Sequence, residues 1–417
     1  MYLSTLSDWI SWIDAIHATE IDLGLDRVKI VAERLKVLSP ACPVITVGGT
    51  NGKGSTVAGL ESIFRAANYR TGTYTSPFLF KLNEQIRING EMVRDSELCE
   101  AFAKVEEARA EVPLTSFEFY TLAGLYLFQE HALDVLILEV GLGGRLDAVN
   151  IIDANISVVT SIAIDHVNWL GHTREKIGYE KAGIFRHEKP VVCGDFDPPA
   201  TLIEVAANLN SPFYQQGRDF DFKESTSTWS WHCQSRRYDE LPRNSLATQN
   251  MSIVLMVITL LQRKLPVTRE AIEKGLVEVK LPGRIQIISG SVTEIYDVSH
   301  NPASIEFLKK RLQEIPCAGK TYAVFSMLAD KDIIGSLTPV KEVFDHWFVA
   351  PLKIKRAATK ELLEESFRNA EINNVTYFQD IEEAYYHSRQ LAQPGDRIIV
   401  FGSFHTITDV WKEKSSS

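Results

Sequence analysis

Cysteine is scarce in this 417-residue chain: five residues (Cys42, Cys99, Cys193, Cys233 and Cys317), scattered and never in C-x-x-C spacing. That excludes a disulfide framework or a cysteine zinc site and suits reduced thiols in a cytoplasmic protein. Long apolar runs are missing as well. The longest, Ile253 to Leu261, is too short to cross a bilayer as a helix, so a buried helix and no membrane partner are expected. The segment Met1 to Asp8 has neither a basic stretch nor a cleavage site, which argues against a secretory signal. Basic charge is in deficit: 44 Lys and Arg against 54 Asp and Glu leave a formal charge of −10. A general nucleic-acid binder is thereby disfavoured, although a local basic funnel for anionic substrates remains open. Low-complexity sequence is confined to the serine tail Ser415 to Ser417, which is expected to be unstructured.

What is present begins with Val44-Ile45-Thr46-Val47-Gly48-Gly49-Thr50-Asn51-Gly52-Lys53-Gly54-Ser55-Thr56. A β-branched run feeds a glycine-rich turn that holds one lysine, and a helical pattern is expected from Ser55. Glycines let successive N–H groups converge, and a helix N-terminus adds its unpaired donors and positive dipole end. With Lys53 as a mobile point charge, the turn suits a polyphosphate, and ATP is the expected ligand. The usual phosphate loop places its hydroxyl directly after the lysine. Here Gly54 intervenes, and the hydroxyls are Ser55 and Thr56. Val57, Leu60, Phe64 and Ala67 recur at helical spacing, and Thr71 to Thr75 completes a βαβ unit.

A chain of this length predicts two domains. Strands are expected at Asp134 to Glu139, Ile156 to Ile164 and Pro190 to Cys193, with helices at Phe119 to His131 and Glu175 to Phe185. This alternation predicts a mainly parallel α/β sheet with helices on both faces. Phe220 to Arg237, aromatic and serine-rich, reads as a hairpin or irregular excursion before helices at Asn250 to Arg263 and Thr268 to Gly275. After the turn Leu281-Pro282-Gly283-Arg284 a second alternating series begins, with strands from Thr293, Tyr322, Trp347, Val375 and Arg397. It predicts a smaller, Rossmann-like doubly wound domain without a G-x-G-x-x-G turn. The expected domains are therefore 1–286 and 287–417.

Ligands collect outside the carboxyl ends of parallel strands. Ser76, Glu139, and Asp165 with His166 occupy three such ends. A carboxylate there is the expected way to hold Mg²⁺ beside a nucleotide. For Glu139 the alternatives are a helix cap or a pair with Arg145; for His166, a plain hydrogen-bonding role. Lys181 reads locally as a solvated helix lysine. Asp297 suits either a ribose hydroxyl or the cap of the next helix.

Taken together, Gly49 to Ser55, Thr75-Ser76-Pro77-Phe78-Leu79, Leu138 to Asp147, Asp165-His166, Glu180 to Phe185, Leu281 to Arg284 and Asp297 to Pro302 resemble the bacterial bifunctional dihydrofolate synthase/folylpolyglutamate synthases of the Mur ligase superfamily. The resemblance covers nearly the whole chain. It implies an ATP-dependent ligase that joins L-glutamate to dihydropteroate and to reduced folates through an acyl phosphate. In that family pattern, Asn51, Gly52, Lys53, Gly54, Ser55, Asn250, Arg284 and Asp297 would bind ATP, and Ser76, Glu139 and His166 would bind metal. Two Mg²⁺ ions are implied, with Mn²⁺ able to substitute. Lys181 matches a lysine that becomes carboxylated by CO₂ and, with Lys53 and His300, would belong to the catalytic set. The pterin substrate would meet Asp22, Leu23, Gly24, Arg27, Ser116, Phe117, Glu118, Leu146, Asp147 and Ala148. The first domain would then bind ATP, Mg²⁺ and pterin, the second would be the ligase domain, and a monomer is the family default. Departures are mild at Ser55 and Ser299. They weigh more around Asn250, where Met251-Ser252 replaces the usual small residues, and at Tyr120, which is bulky for the pterin pocket. A folylpolyglutamate synthase without the dihydropteroate reaction, a peptidoglycan-type ligase and a non-catalytic nucleotide-binding regulator are the rival readings. The match over Ile21 to Arg27 argues against the second of these.

Overall fold

The computed structural model describes residues 3–17, 19 and 21–416, the last five of these by backbone alone. Its two compact units are Met1–Lys280 and Leu281–Ser417. The turn Leu281 to Arg284 joins the second unit, because Val298 N donates to Gly283 O (2.9 Å) and Ile285 N to Asp297 Oδ2 (2.9 Å).

The first unit opens with helices α1 (Leu6–Ala15) and α2 (Asp26–Leu35), then β1 (Val44–Gly48), α3 (Lys53–Ala66) and β2 (Thr71–Tyr74). Two short strands, β3 (Ile86–Ile88) and β4 (Glu91–Met92), precede α4 (Asp95–Arg109), α5 (Ser116–Glu130), β5 (Val135–Glu139) and β6 (Ile156–Val159). There follow α6 (Val167–Leu170), α7 (Arg174–Ala182), β7 (Val191–Cys193), α8 (Ala200–Asn208) and β8 (Phe213–Gln215). Strands β9 (Phe220–Glu224), β10 (Thr228–Cys233) and β11 (Arg236–Pro242) lead to α9 (Thr248–Leu261) and α10 (Arg269–Glu278). The main sheet runs β4-β3-β2-β5-β1-β6-β7-β8. It is parallel except for β3, which runs antiparallel to both β2 and β4. The β-branched run Val44 to Val47 makes β1 a central strand, buried throughout between β5 and β6.

Helix α3 starts at Lys53, ahead of the Ser55 that the sequence predicts, because Gly52 takes a left-handed φ of 91° and its carbonyl already accepts from Thr56 N (2.9 Å). Its side chains Leu60, Ile63 and Phe64 are fully buried, each contributing about 1.5–3 kcal/mol of transfer free energy. Helix α3 packs against α9 and α10 as well as β1, β2 and β5, with Ile63 against Gly275 of α10. That same packing, with β7, β9 and β10 on its other sides, explains why α9 is apolar all round. Strand β6 is shorter than the expected Ile156 to Ile164. Beyond Val159 the backbone leaves the sheet to bond the phosphate turn: Thr50 N donates to Ser161 O (2.7 Å) and Ala163 N to Thr50 Oγ1 (3.0 Å). The expected excursion is an ordered three-stranded antiparallel sheet, β11-β10-β9.

In the second unit the elements are β12 (Gln286–Ile288), β13 (Thr293–Asp297), α11 (Pro302–Glu314), β14 (Thr321–Phe325), α12 (Ile333–Leu337), β15 (His346–Val349), α13 (Lys360–Asn369), β16 (Val375–Tyr377), α14 (Ile381–Leu391), β17 (Arg397–Phe401) and α15 (Phe404–Ser416). Its sheet, ordered β12-β13-β17-β14-β15-β16, is parallel apart from β12. An aromatic core holds it, with Trp347 at 4.6 Å from Phe344 and 5.1 Å from Phe367, and Phe325 at 5.2 Å from Phe401. Helix α15 continues through Ser415 and Ser416 in place of the unstructured tail that composition predicts. Extending a formed helix gains one hydrogen bond per residue ordered. Ser417, and Met1 and Tyr2 of the segment read for a signal, lie outside the described residues. Among those described, no helix is long and apolar enough to cross a membrane.

Candidate active site

The phosphate turn is built by close approach. A Cβ at Gly49 would fall 1.9 Å from Thr160 Oγ1, and one at Gly52 would fall 2.4 Å from Asn250 Oδ1. Only glycine fits at either place. Thr160 Oγ1 donates to Asn51 O (2.7 Å), and Asn51 N to Ser161 Oγ (3.3 Å), so the loop after β6 pins the turn from one side. Asn250, at the start of α9, lies against it from another. Ser55 and Thr56 are buried in the first turn of α3.

Two lysines meet at one carbonyl. Lys53 Nζ donates to Gly49 O and Thr50 O (3.2 Å each), and Lys181 Nζ donates to the same Gly49 O at 2.8 Å. Lys181 is 4% exposed, which corrects its local reading as a solvated helix lysine. The cause is the glycine segment after β5. Gly144 comes so close to α7 that a Cβ there would be 2.9 Å from Glu180 O and 3.1 Å from Lys181 O. Burial, with the neighbouring Lys53 charge adding to it, pulls the Lys181 amine down to about 7; Asp165 and Asp147 oppose that shift. Burial likewise pushes the Asp147 carboxyl up to about 6, against donors from Leu142 and Val149 and the charge of Lys53.

Ser76 and Glu139 are in contact: Ser76 N donates to Glu139 Oε2 at 3.2 Å. Their strands are neighbours, with Tyr74 opposite Leu138 and Val47 opposite Glu139, so both residues end at the edge from which the phosphate turn springs. Ser76 Oγ is buried without a hydrogen-bond partner, an oxygen aimed at nothing the protein supplies. Arg145, the alternative partner for Glu139, donates to Glu180 (3.2 and 2.9 Å). His166 follows the loop that pins the turn, with a left-handed φ of 51° and Nε2 3.9 Å from Asp165 Oδ2. Among the described residues no group of three or more His, Cys, Asp or Glu could hold a metal alone. The structure brings the Ser76 hydroxyl and the Glu139 carboxylate together, oxygen donors of the kind that hold a divalent ion whose shell is completed by phosphate oxygens and water. Those oxygens suit Mg²⁺; an imidazole such as that of His166 is a donor type that suits Mn²⁺.

The residues assigned to the pterin form two linked groups. Arg27 bridges Asp22 (2.7 Å to Oδ2) and the buried Glu118 (3.2 Å). Glu118 is also the capping-box acceptor for Thr115 N (2.8 Å). Phe117 lies over Gly141, where a Cβ would be 2.6 Å from the ring and 3.3 Å from Asp147 Oδ2. Asp147 caps the short turn Ala148–Ile151. Leu23, Gly24 and Leu146 are half-buried, and Ala148 is buried. Ser116 Oγ donates to Asp14 (2.8 Å), an acceptor on α1 that sequence reasoning did not place there. Tyr120 packs on Phe102 at 5.8 Å, and its hydroxyl also reaches Asp14 (3.4 Å).

In the second unit Asp297 is buried, accepting from Ile285 N, Ser299 N and the Ser299 hydroxyl. The cap of α11 is Asn301, whose Oδ1 accepts from Ser304 N (3.0 Å), so capping is not the task of Asp297. The Arg284 guanidinium lies 5.2 Å over the Phe404 ring, and His300 faces the same ring at 6.3 Å. Thr160 is a site residue that sequence reasoning missed, whereas the sequence places Asp165 at a strand end beside His166, and here it opposes the lowering of the Lys181 amine. Thr160 carries no local signal that could have found it.

Two family models match the chain: the Mur ligase middle domain over residues 47–222, and the Mur ligase glutamate ligase domain over residues 283–404. The dihydrofolate synthase/folylpolyglutamate synthase of Escherichia coli K12 is 43% identical over 407 residues, covering 98% of this chain and 95% of that protein. The structure of E. coli FolC in complex with DHPP and ADP superposes with a TM-score of 0.94 at 41% identity, covering 100% of this chain and 99% of that one. A bifunctional folylpolyglutamate synthase/dihydrofolate synthase with Mn, AMPPNP and L-glutamate bound gives 0.93 at 42% identity, with the same coverage.

Proposed function

We infer, since this chain belongs to the bacterial dihydrofolate synthase/folylpolyglutamate synthase family of Mur ligases, that it is an ATP-dependent ligase. It joins L-glutamate to dihydropteroate, forming dihydrofolate, and to reduced folates, forming folylpolyglutamates. The observation that carries the site assignment is the meeting of Lys53 and Lys181 at Gly49 O beside the Ser76–Glu139 contact.

A carboxylate is a poor acyl donor, because its leaving group would be oxide. Its oxygen therefore first attacks the γ-phosphorus of ATP, the bond to ADP breaks, and an acyl phosphate forms. The amine of glutamate then attacks the acyl carbon, phosphate leaves with its bonding pair, and the amine proton passes to solvent or base. The converging N–H groups of Asn51 to Ser55 hold the phosphates, and Lys53 offsets the charge that builds on the transferred group. Ser76, Glu139 and His166 would hold the divalent cations, which when bound supply further neutralisation of phosphate charge. Lys181, with its low proton affinity, is poised to be carboxylated, which would turn a buried cation into an anion suited to a second ion. Arg27, Glu118, Phe117 and Asp147 line the pterin side. Asn250, Arg284 and Asp297 serve the nucleotide, and His300 contacts phosphate. The scarcity of cysteine supports a reducing, cytoplasmic setting, and a monomer is the family default.

One assay tests the whole reading: glutamate-dependent ADP release with dihydropteroate, with tetrahydrofolate, with a muramoyl nucleotide and with no acceptor, each with and without excess chelator. Release with the first two alone, abolished by chelator, is expected. Release with tetrahydrofolate only would make the chain a folylpolyglutamate synthase. No release with any acceptor would leave a nucleotide-binding regulator.

A further inference from the structure

The antiparallel sheet β9–β11 carries none of the residues assigned above, yet it grips the helix that brings Asn250 to the phosphate turn. Ser252, fully buried one turn into α9, accepts hydrogen bonds from Trp231 Nε1 of β10 (3.1 Å) and from Gln216 Nε2 (3.2 Å). Thr248 Oγ1 donates to Glu224 of β9 (2.5 Å), and Gln249 Nε2 to Gly194 O at the end of β7 (2.6 Å). On the opposite side α9 is pressed onto α3. A Cβ at Gly59 would be 2.8 Å from Met251 Cε and 3.0 Å from Val254 Cγ2, so the two helices have no slack. Residues 248, 249, 251 and 252 are thus each held by a different neighbour. The residue in the middle, Asn250, is the one whose amide lies against Gly52.

We propose that Ser252 and Trp231 are positioning residues for the nucleotide: their hydrogen bond fixes the first turns of α9, and through them the Asn250 amide on the phosphate turn. The sheet β9–β11 thereby acts in ATP binding without touching ATP, which rests on the reading of Asn250 as an ATP contact. Trp231 suits the task. It is fully buried and stacked on Tyr238 (5.9 Å), so its N–H has a single direction in which to point. Small displacements at a positioned group carry large kinetic penalties.

The test compares Asn250→Ala, Ser252→Ala, Trp231→Phe and the double variant Asn250→Ala/Ser252→Ala. It measures KM for ATP, glutamate and dihydropteroate, ADP affinity by calorimetry, and folding by circular dichroism. Ser252→Ala and Trp231→Phe are each expected to raise the KM for ATP about five-fold, the ratio that one ordinary hydrogen bond carries. The KM for glutamate should hold, and Ser252→Ala should add nothing in the Asn250→Ala background. Additive effects, or equal changes in all three KM values, would mean a merely structural role and overturn the proposal. If Asn250→Ala leaves ADP affinity intact, the reading of Asn250 fails and the proposal with it. If Asn250→Ala weakens ADP binding while the two folded variants do not, the proposal alone fails. Should Ser252→Ala not fold, Trp231→Phe, which keeps an aromatic ring on Tyr238 while removing the donor together with part of the indole volume, decides the matter, its KM for glutamate separating lost positioning from general loosening.

Discussion

Replacing Lys181 by methionine removes an amine that the fold holds at a thermodynamic disadvantage. Burial first, then Lys53, lowers its proton affinity from the ordinary 10.5 to about 7. That gap corresponds to roughly 4–5 kcal/mol against the buried ammonium. Between those two values the unfolded chain binds the proton and the folded chain does not, so stability rises with pH across the window. The full handicap applies below about pH 7. The hydrogen bond to Gly49 O returns about 1 kcal/mol. Lys181→Met should therefore be more stable than the native chain by a few kcal/mol at pH 6 to 7, with the advantage shrinking toward pH 10, and should lose ligase activity. Urea unfolding at several pH values in CO₂-free buffer measures the first expectation. A methionine variant of equal or lower stability at pH 7, or a difference that ignores pH, would refute the reasoning. The same low value leaves about half of the amine unprotonated at pH 7, where an ordinary lysine leaves roughly one in three thousand. Only the unprotonated amine adds CO₂. Turnover should consequently fall when CO₂ is stripped and return with bicarbonate, and indifference to bicarbonate would remove the carboxylation.

Lys53→Ala should lose about 10² in turnover, roughly 3 kcal/mol of transition-state stabilisation; near-native turnover would take the phosphate turn out of the mechanism. Gly52→Ala places a Cβ at φ 91° and 2.4 Å from Asn250 Oδ1. The backbone strain alone is about 1–2 kcal/mol, and ADP affinity measured by calorimetry should drop while the circular dichroism spectrum holds. Arg27→Ala removes the link between Asp22 and the buried Glu118, at about 1–3 kcal/mol of stability. It should raise the KM for dihydropteroate more than that for ATP, and parallel changes would count against a pterin role.

Sequence alone determined the α/β class, the phosphate turn and the strand-end positions of Ser76, Glu139 and Asp297. Each follows from local rules: β-branched runs make buried parallel strands, glycines make tight turns, and strand ends face ligands. The three strands of the excursion were blurred because their alternation serves a small separate sheet packed on α9. What only the tertiary structure decided is the electrostatic state of Lys181, the seat of Asn250 at Gly52 and the pinning of the turn by Thr160 and Ser161. All three depend on atoms more than a hundred residues apart in the chain brought into contact. Desolvation and close approach are properties of the packed interior, and no local spacing encodes them.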